Sequence, residues 1–356
     1  MSADLERPRL VEVPAAAVTQ VTRDRKRRAV RRRVVIAVLS VLVLAMIAVS
    51  LMVGQTFYPP GDVLRVLLGQ DVPGAAFTVG RLRIPRTVLA VVVGLSFGLA
   101  GVTFQTMLRN PLASPDVIGI SSGAGAAAAF AIVVVGWSGT RVSAFAIVVC
   151  LAVALAIYLL AFKGGVLGTR LILIGIGVEA MLRSATAYVL SVAADWDLQE
   201  AMRWLTGSLN GASWTATLPA LVALVVLAPI LLGQTRNLST LQLGDDTAAA
   251  LGVRLERTRL IAILAAVGLI AFATSGAGPI AFVAFLAGPI AARLVGPNGS
   301  LLVPAALVGA LLVLVGDFCG QYAFGNRMPV GVVTGVLGAP SLIYLIIRTN
   351  RAGGSL

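Results

Sequence analysis

The chain has 356 residues, of which 58% are hydrophobic and 12% charged, about half the charged share of an ordinary soluble domain. With 0 His and 2 Cys, imidazole ligands and bases are excluded. Cys150 and Cys319 each sit in an apolar stretch, as small buried hydrophobes rather than a disulfide or zinc framework.

At about 20 apolar residues per membrane span, this inventory supplies about ten spans, so an all-α polytopic membrane protein is expected. Neither Lys26 nor Lys163 stands in a phosphate-cradling G-x-x-x-x-G-K-[ST] run, so any ATP that drives the protein is bound by another subunit. The formal net charge of +13 is uneven: residues 1–33 hold ten Arg/Lys against four acids. This basic N-terminal tail abuts an apolar segment, which marks a cytoplasmic topology determinant facing anionic lipid rather than a nucleic-acid site.

A membrane domain is expected over 34–348 and a cytoplasmic C-terminal tail over 349–356. The first span is 34–53, uncharged and too long for the apolar core of a signal peptide. Residues 54–86 read as a polar loop with a short helix around Asp62–Leu68. Further spans are expected at 87–107, 117–136, 143–162, 170–191, 215–232, 258–275, 279–295, 302–319 and 331–347, with polar segments at 192–214 and 234–257. An even count puts both termini on one side. A cytoplasmic N-terminus places 20 of the 28 basic residues inside, span edges included, against seven outside and Arg183 within a span. The run Arg86-Thr-Val-Leu-Ala resembles Arg259-Leu-Ile-Ala, a faint sign of an inverted repeat.

Three segments carry candidate chemistry. In LSTLQLGDDTAAALGV, residues 238–253, Ser239 is expected to cap a one-turn helix ended by Gly244, and Asp245 or Asp246 to cap a second one stopped by Gly252. Two short helices across the cytoplasmic face would suit a lever pushed by a neighbouring subunit; an amphipathic loop resting on the bilayer is the alternative. At the outer mouth of span 2, Pro85 disfavours helix at Ile84, so Arg81, Arg83 and Arg86 flank a helix start where the dipole opposes them. That suggests an acidic partner outside, with lipid phosphate as a competing explanation; Arg327 has the same setting. Glu179 and Arg183 stand at i, i+4 and are expected to pair within the bundle, while Asp317 lies near an outer span end without an evident partner. Glycines at 94, 98 and 101 and the Gly278-Pro279 and Gly288-Pro289 breaks suit close, interruptible helix packing.

RIPRTVLAVVVGLSFGLAGVTFQTMLRNPLASPDVIGISSGAG (83–125), LQLGDDTAAALGV (241–253), GPIAFVAFLAGPIAARLVG (278–296) and MPVGVVTGVLGAPSLIYLI (328–346) resemble, in this order, FecCD-type permeases. These are membrane subunits of ABC importers for iron–siderophore complexes, haem and vitamin B12. The resemblance implies a non-catalytic subunit of the cell membrane that works by alternating access. Gly244, Asp245, Asp246, Thr247, Ala248, Leu251 and Gly252 would belong to coupling helices between spans 6 and 7, seated on an ATPase. Arg83 and Arg86, with Arg327, would contact an extracytoplasmic substrate-binding protein, although Asn326-Arg327-Met328 departs from the family pattern. The chain itself would bind no cofactor or metal, with ATP and magnesium on two partner ATPase subunits. A second permease, a paralogue in preference to an identical chain, would complete the pathway. The expected cargo is a ferric siderophore, with haem or a corrinoid as alternative; an ion-coupled secondary transporter using Glu179 and Asp317 is the reading from a different class.

Overall fold

The computed structural model describes residues 15–116, 119–161, 168–296 and 299–351. The first 14 residues of the basic tail, Lys163 and residues 352–356 of the C-terminal tail lie outside them. The regular structure of the described residues is helical: α1 (Ala15–Met52), α2 (Pro60–Leu67), a π-helical segment (Ala76–Arg83), α3 (Ile84–Met107), α4 (Ile120–Val133), α5 (Thr140–Ala161), α6 (Gly168–Ser191), α7 (Asp195–Leu205), α8 (Trp214–Gly233), α9 (Thr235–Leu241), α10 (Asp245–Ala250), α11 (Leu255–Ala277), α12 (Val283–Val295), α13 (Leu302–Tyr322) and α14 (Val330–Arg351). Among the described residues, seven helical stretches are long and apolar enough to cross a bilayer, while 120–133, 283–295 and 330–344 are shorter apolar helices.

The expected start of span 2 needs correction. Residues 76–83 do not belong to a polar loop but form π-helical turns that run straight into α3. Pro85 has no N–H and its ring crowds the carbonyl four residues earlier; just before it, the Ile84 N–H bonds to the Val79 carbonyl, five residues back. The wider turn carries the helix through the proline. Residues 192–214, read as a polar segment, contain α7, whose first turn holds Asp195 and Asp197 and whose last turn holds Arg203, in accord with the helix dipole.

The centre of the bundle is α3 and α11. Their apolar windows are 83% and 72% buried, against 17% for α1 and 6% for α6. Glycine lets α3 reach this density: a Cβ on Gly94 would lie 2.5 Å from the Gly309 carbonyl oxygen and the Ala310 Cα of α13. Gly98 meets the backbone of Ala305 in the same way, and Gly101 meets Ala284 of α12. Small residues at these contacts replace the hydrophobic drive that lipid removes.

Broken helices are tolerated at membrane depth only where freed backbone groups find partners. Pro289 cannot bond to the Phe285 carbonyl one turn earlier, and the buried Gln105 of α3 donates its Nε2 to that oxygen at 3.0 Å. Gly288 leaves the room, because a Cβ there would strike the Gln105 side chain. At the end of α11 the Ser143 hydroxyl donates to the Ser275 carbonyl at 2.9 Å, and the Ser208 N–H to the Ala277 carbonyl at 2.7 Å. The Gly331 N–H reaches the Gly207 carbonyl at 3.0 Å, so the ends of α7 and α11 and the start of α14 meet through backbone.

Candidate functional site

Two short helices follow α8, with boundaries that differ from expectation. Ser239 is not a cap: α9 starts at Thr235, and the Ser239 hydroxyl donates back to the Thr235 carbonyl at 2.8 Å. Neither aspartate caps α10. Gly244, at φ 108°, takes that position, and Gly252 past the far end has φ 84°; both backbones favour glycine. Leu238, Leu241 and Ala248 are buried beneath the pair. Leu243 and Leu251 are more than 60% exposed, and Asp246 and Thr247 are exposed beside them. Two apolar side chains are thus raised on an exposed turn, where either a neighbouring subunit or the bilayer surface would cover them.

Asp245 points the other way. Its carboxylate accepts from Arg259 Nη2 at 2.8 and 2.9 Å and from Arg109 Nη2 at 2.6 Å. Arg259 lies in the second turn of α11 and is 5% exposed. A cation so deeply buried requires a counter-ion, and α10 supplies it. Arg109 follows α3, whose end is a Schellman turn: the Arg109 N–H bonds to the Thr106 carbonyl and the Asn110 N–H to the Gln105 carbonyl. Its left-handed position, where glycine is usual, is held by Arg109 at φ 51°.

At the other end of α3 the arginines expected to face an external partner turn inward. Arg83 Nη1 donates to the carbonyls of Leu51 and Met52 at 2.8 and 2.9 Å, and Nη2 to Thr56 at 2.7 Å. It thereby caps the C-terminus of α1, with its guanidinium over the Tyr58 ring at 5.1 Å. Arg86 grips Asp317 of α13 through Nη2 at 2.7 Å and Nε at 2.8 Å, and donates to Asn210 Oδ1 at 2.8 Å. The helix start that implied an external acidic partner is not there, because the helix already runs through residues 76–83; Arg83 is held by carbonyls and Arg86 by Asp317, whose counter-ion sequence did not reveal. Arg81 and Arg327 are exposed, and neither makes an ion pair or side-chain hydrogen bond among the described residues.

Glu179 and Arg183 approach to 3.9 Å, with the arginine side chain 82% exposed. They line a cavity of about 750 Å³ with Asp116, Ser121, Phe282 and Phe285. The half-helices α4 and α12 begin at its wall, behind Gly119 and Phe282 in left-handed conformations. The Asp116 carboxylate accepts the Ser121 hydroxyl at 2.6 Å, and Gly119 packs on the Glu179 backbone. The ring of Phe282 lies against Gly338 of α14, where a Cβ would not fit. The cavity wall is mostly apolar with both charge signs present, which suits a large ligand held by few strong bonds.

Sequence reasoning missed Arg109, Arg259, Asp116, Gln105 and Asn210. For Arg259 the local sequence misleads: Glu256 stands three residues before it, at helical pairing distance, yet the acid that holds it is Asp245. For Gln105 it was Pro289, whose missing donor creates an acceptor that something must fill.

The profile of the FecCD transport family matches residues 42–348. The chain is 40% identical over 301 residues to the ferric enterobactin transport system permease protein FepG of Escherichia coli, spanning 84% of this chain and 91% of that one. It is 40% identical over 314 residues to the achromobactin transport system permease protein CbrC of Dickeya dadantii, spanning 87% and 90%. Against the cobalamin import system permease protein BtuC of Halobacterium salinarum it is 36% identical over 277 residues, spanning 76% and 74%. The fold is similar, at a TM-score of 0.79 and 26% identity, to that of a putative metal-chelate type ABC transporter in an inward-facing conformation, covering 88% of this chain and 98% of that one.

Proposed function

Because the chain belongs to the FecCD transport family, we propose that it is the membrane-spanning permease subunit of an ATP-driven ABC importer, with a ferric siderophore as cargo. The observation that carries the cargo class is the 40% identity to two permeases named for siderophore systems, over 84% and 87% of this chain. In this reading the three short apolar helices complete ten membrane passages, both termini are cytoplasmic, and the protein resides in the cytoplasmic membrane.

The geometry supports a division of labour. Leu243, Asp246, Thr247 and Leu251 on α9–α10 present the surface that receives an ATPase subunit, while Gly244 and Gly252 set its turns and Ala248 anchors it. ATP and magnesium bind to the two partner ATPases; closure of that pair pushes α10, and the transmembrane helices rotate to switch the side of the membrane to which the pathway opens. A second permease, a paralogue of this chain, covers the exposed face of α6 and encloses the cavity beside Glu179 and Arg183. Wide, mainly apolar walls favour passage of a preformed chelate over bare iron. At the outer face, Arg81 and Arg327 are exposed and unpaired among the described residues, and in this reading they contact an acidic substrate-binding protein, a role that Arg83 and Arg86 are too engaged to fill.

Uptake of radiolabelled iron supplied as a panel of purified siderophores, with haem and cobalamin alongside, tests this in cells with and without the gene. Loss of uptake for one siderophore class is expected. A loss confined to haem or cobalamin would overturn the cargo assignment, and undiminished uptake across the panel, with redundant systems deleted, would overturn the importer reading.

A further inference from the structure

The Arg109–Asp245–Arg259 cluster joins three elements that are not continuous in the fold: the turn after α3, the first residue of α10 and the second turn of α11. Three features set it apart from an ordinary surface ion pair. Arg259 is nearly inaccessible, so its charge depends on Asp245 for compensation. Both contacts are short, at 2.6 and 2.8 Å, and one carboxylate serves two guanidinium groups. The third is the backbone of Arg109. A non-glycine residue in the left-handed region costs about 1–2 kcal/mol and persists where its surroundings over-determine it. Glycine would close the same Schellman turn without that cost. An arginine there gives up stability for reach, and what it reaches is Asp245.

The elements brought together are also the ones that matter mechanically. The helices α3 and α11 form the most buried part of the bundle, whereas α10 carries the exposed surface. Each connection between α10 and the rest of the chain is short: it is joined to α9 by residues 242–244 and to α11 by residues 251–254. Of the two central helices, covalent continuity ties α10 to α11 alone. Among the described residues, the Arg109 contact is the ion pair that couples its first turn to the end of α3, 136 residues earlier in sequence.

We propose that Asp245 is a positioning residue that makes one mechanical unit of α10, the end of α3 and the start of α11, so that displacement of α10 by a partner ATPase is delivered to both central helices together. This rests on the importer reading above. Asp245 acts from within the permease, through the arginines it holds, and not by touching the ATPase; Asp246, its exposed neighbour, faces the partner.

The test uses the complete complex, this chain with its second permease and ATPases, reconstituted in proteoliposomes with the loaded binding protein. The readouts are ATP hydrolysed, cargo taken up, and subunit co-purification. Arg109→Gly cuts the link to α3 while relieving the strained backbone, so the fold is retained or stabilised. Asp245→Asn cuts both links, and Asp245→Glu restores them in part. For Arg109→Gly and Asp245→Asn, cargo transported per ATP is expected to fall about tenfold in complexes that still assemble, with Asp245→Glu between these and the unaltered protein. Unchanged transport per ATP in Arg109→Gly would overturn the positioning role. A complex of unaltered chains that hydrolyses ATP without any cargo uptake would instead overturn the importer reading, and the proposal with it.

Discussion

Arg86 and Asp317 face each other across the α3–α13 contact and close a two-bond ion pair at 2.7 and 2.8 Å, with Gln321 donating a further bond to the carboxylate at 3.1 Å. Arg86 is the third residue of α3, but the helix already runs through residues 76–83, so the dipole mismatch expected at a helix start does not arise and burial is what calls for a counter-ion. Asp317 supplies it from 231 residues away. The pair is largely sequestered, with side-chain exposures of 19% and 11%, so removing one member strands the other charge.

Replacing either partner alone, as Arg86→Met or Asp317→Leu, should therefore cost about 3 kcal/mol and lower the apparent Tm of the detergent-solubilised complex. The double replacement should recover most of that loss. A double variant no more stable than the singles would show that the pair is not the source of the effect.

Gln105 offers a separate test of how a broken helix is satisfied. Gln105→Leu leaves the Phe285 carbonyl without a donor in an apolar setting, and should destabilise by about 1–3 kcal/mol. Adding Pro289→Ala restores the N–H one turn along α12. Thermal unfolding should then show the second change to be stabilising only in the Gln105→Leu background.

The outer arginines separate into two kinds. Arg83→Ala removes the donors to three carbonyls at and beyond the end of α1 and should lower the apparent Tm by a loss of about 1–2 kcal/mol, while docking of the binding protein stays within about twofold. Arg81→Glu with Arg327→Glu should leave stability alone and slow association, by about tenfold at low salt. Surface plasmon resonance across a salt series reads both. Equal effects from the two variants would remove the distinction.

On the opposite face, Leu243→Asp with Leu251→Asp replaces the two exposed apolar side chains of the α9–α10 surface by charge. Retention of the ATPase subunit on affinity purification should drop by about tenfold or more, with the permease itself folded as judged by its Tm. An ATPase that co-purifies as before would place its seat elsewhere.

The apolar runs announced the helices well: α3, α5, α8, α11 and α13 lie within a few residues of where hydropathy puts spans, and α2, expected around Asp62–Leu68, starts two residues earlier at Pro60. The ends were less legible, because they depend on partners far away in sequence. Nothing local around Pro85 announces π-helical turns, and nothing around Ser239 shows that α9 has already begun at Thr235. The candidate site divides along the same line. A short helix through Ala248 that stops before Gly252 could be placed from spacing alone, whereas its cap is Gly244 rather than an aspartate and the direction of Asp245 is decided by Arg109 and Arg259. Arg83 and Arg86 looked free because their acceptors, the end of α1 and Asp317, are 31 and 231 residues removed.

Gln105 is the first residue of the Schellman turn that ends α3, and it serves two masters. Its backbone carbonyl accepts the Asn110 N–H that closes this turn, while its side chain repairs the gap Pro289 leaves in α12. The proline break and the placement of Arg109 thus share a single residue. Evolutionary change at position 105, 285, 288 or 289 is therefore constrained as a group: a side chain added at Gly288 would evict Gln105, an eviction would orphan the Phe285 carbonyl, and restoring Pro289 to an ordinary residue would free Gln105 to drift. Four positions on two helices form one heritable unit, and substitutions among them should be tolerated in combinations that fail one at a time.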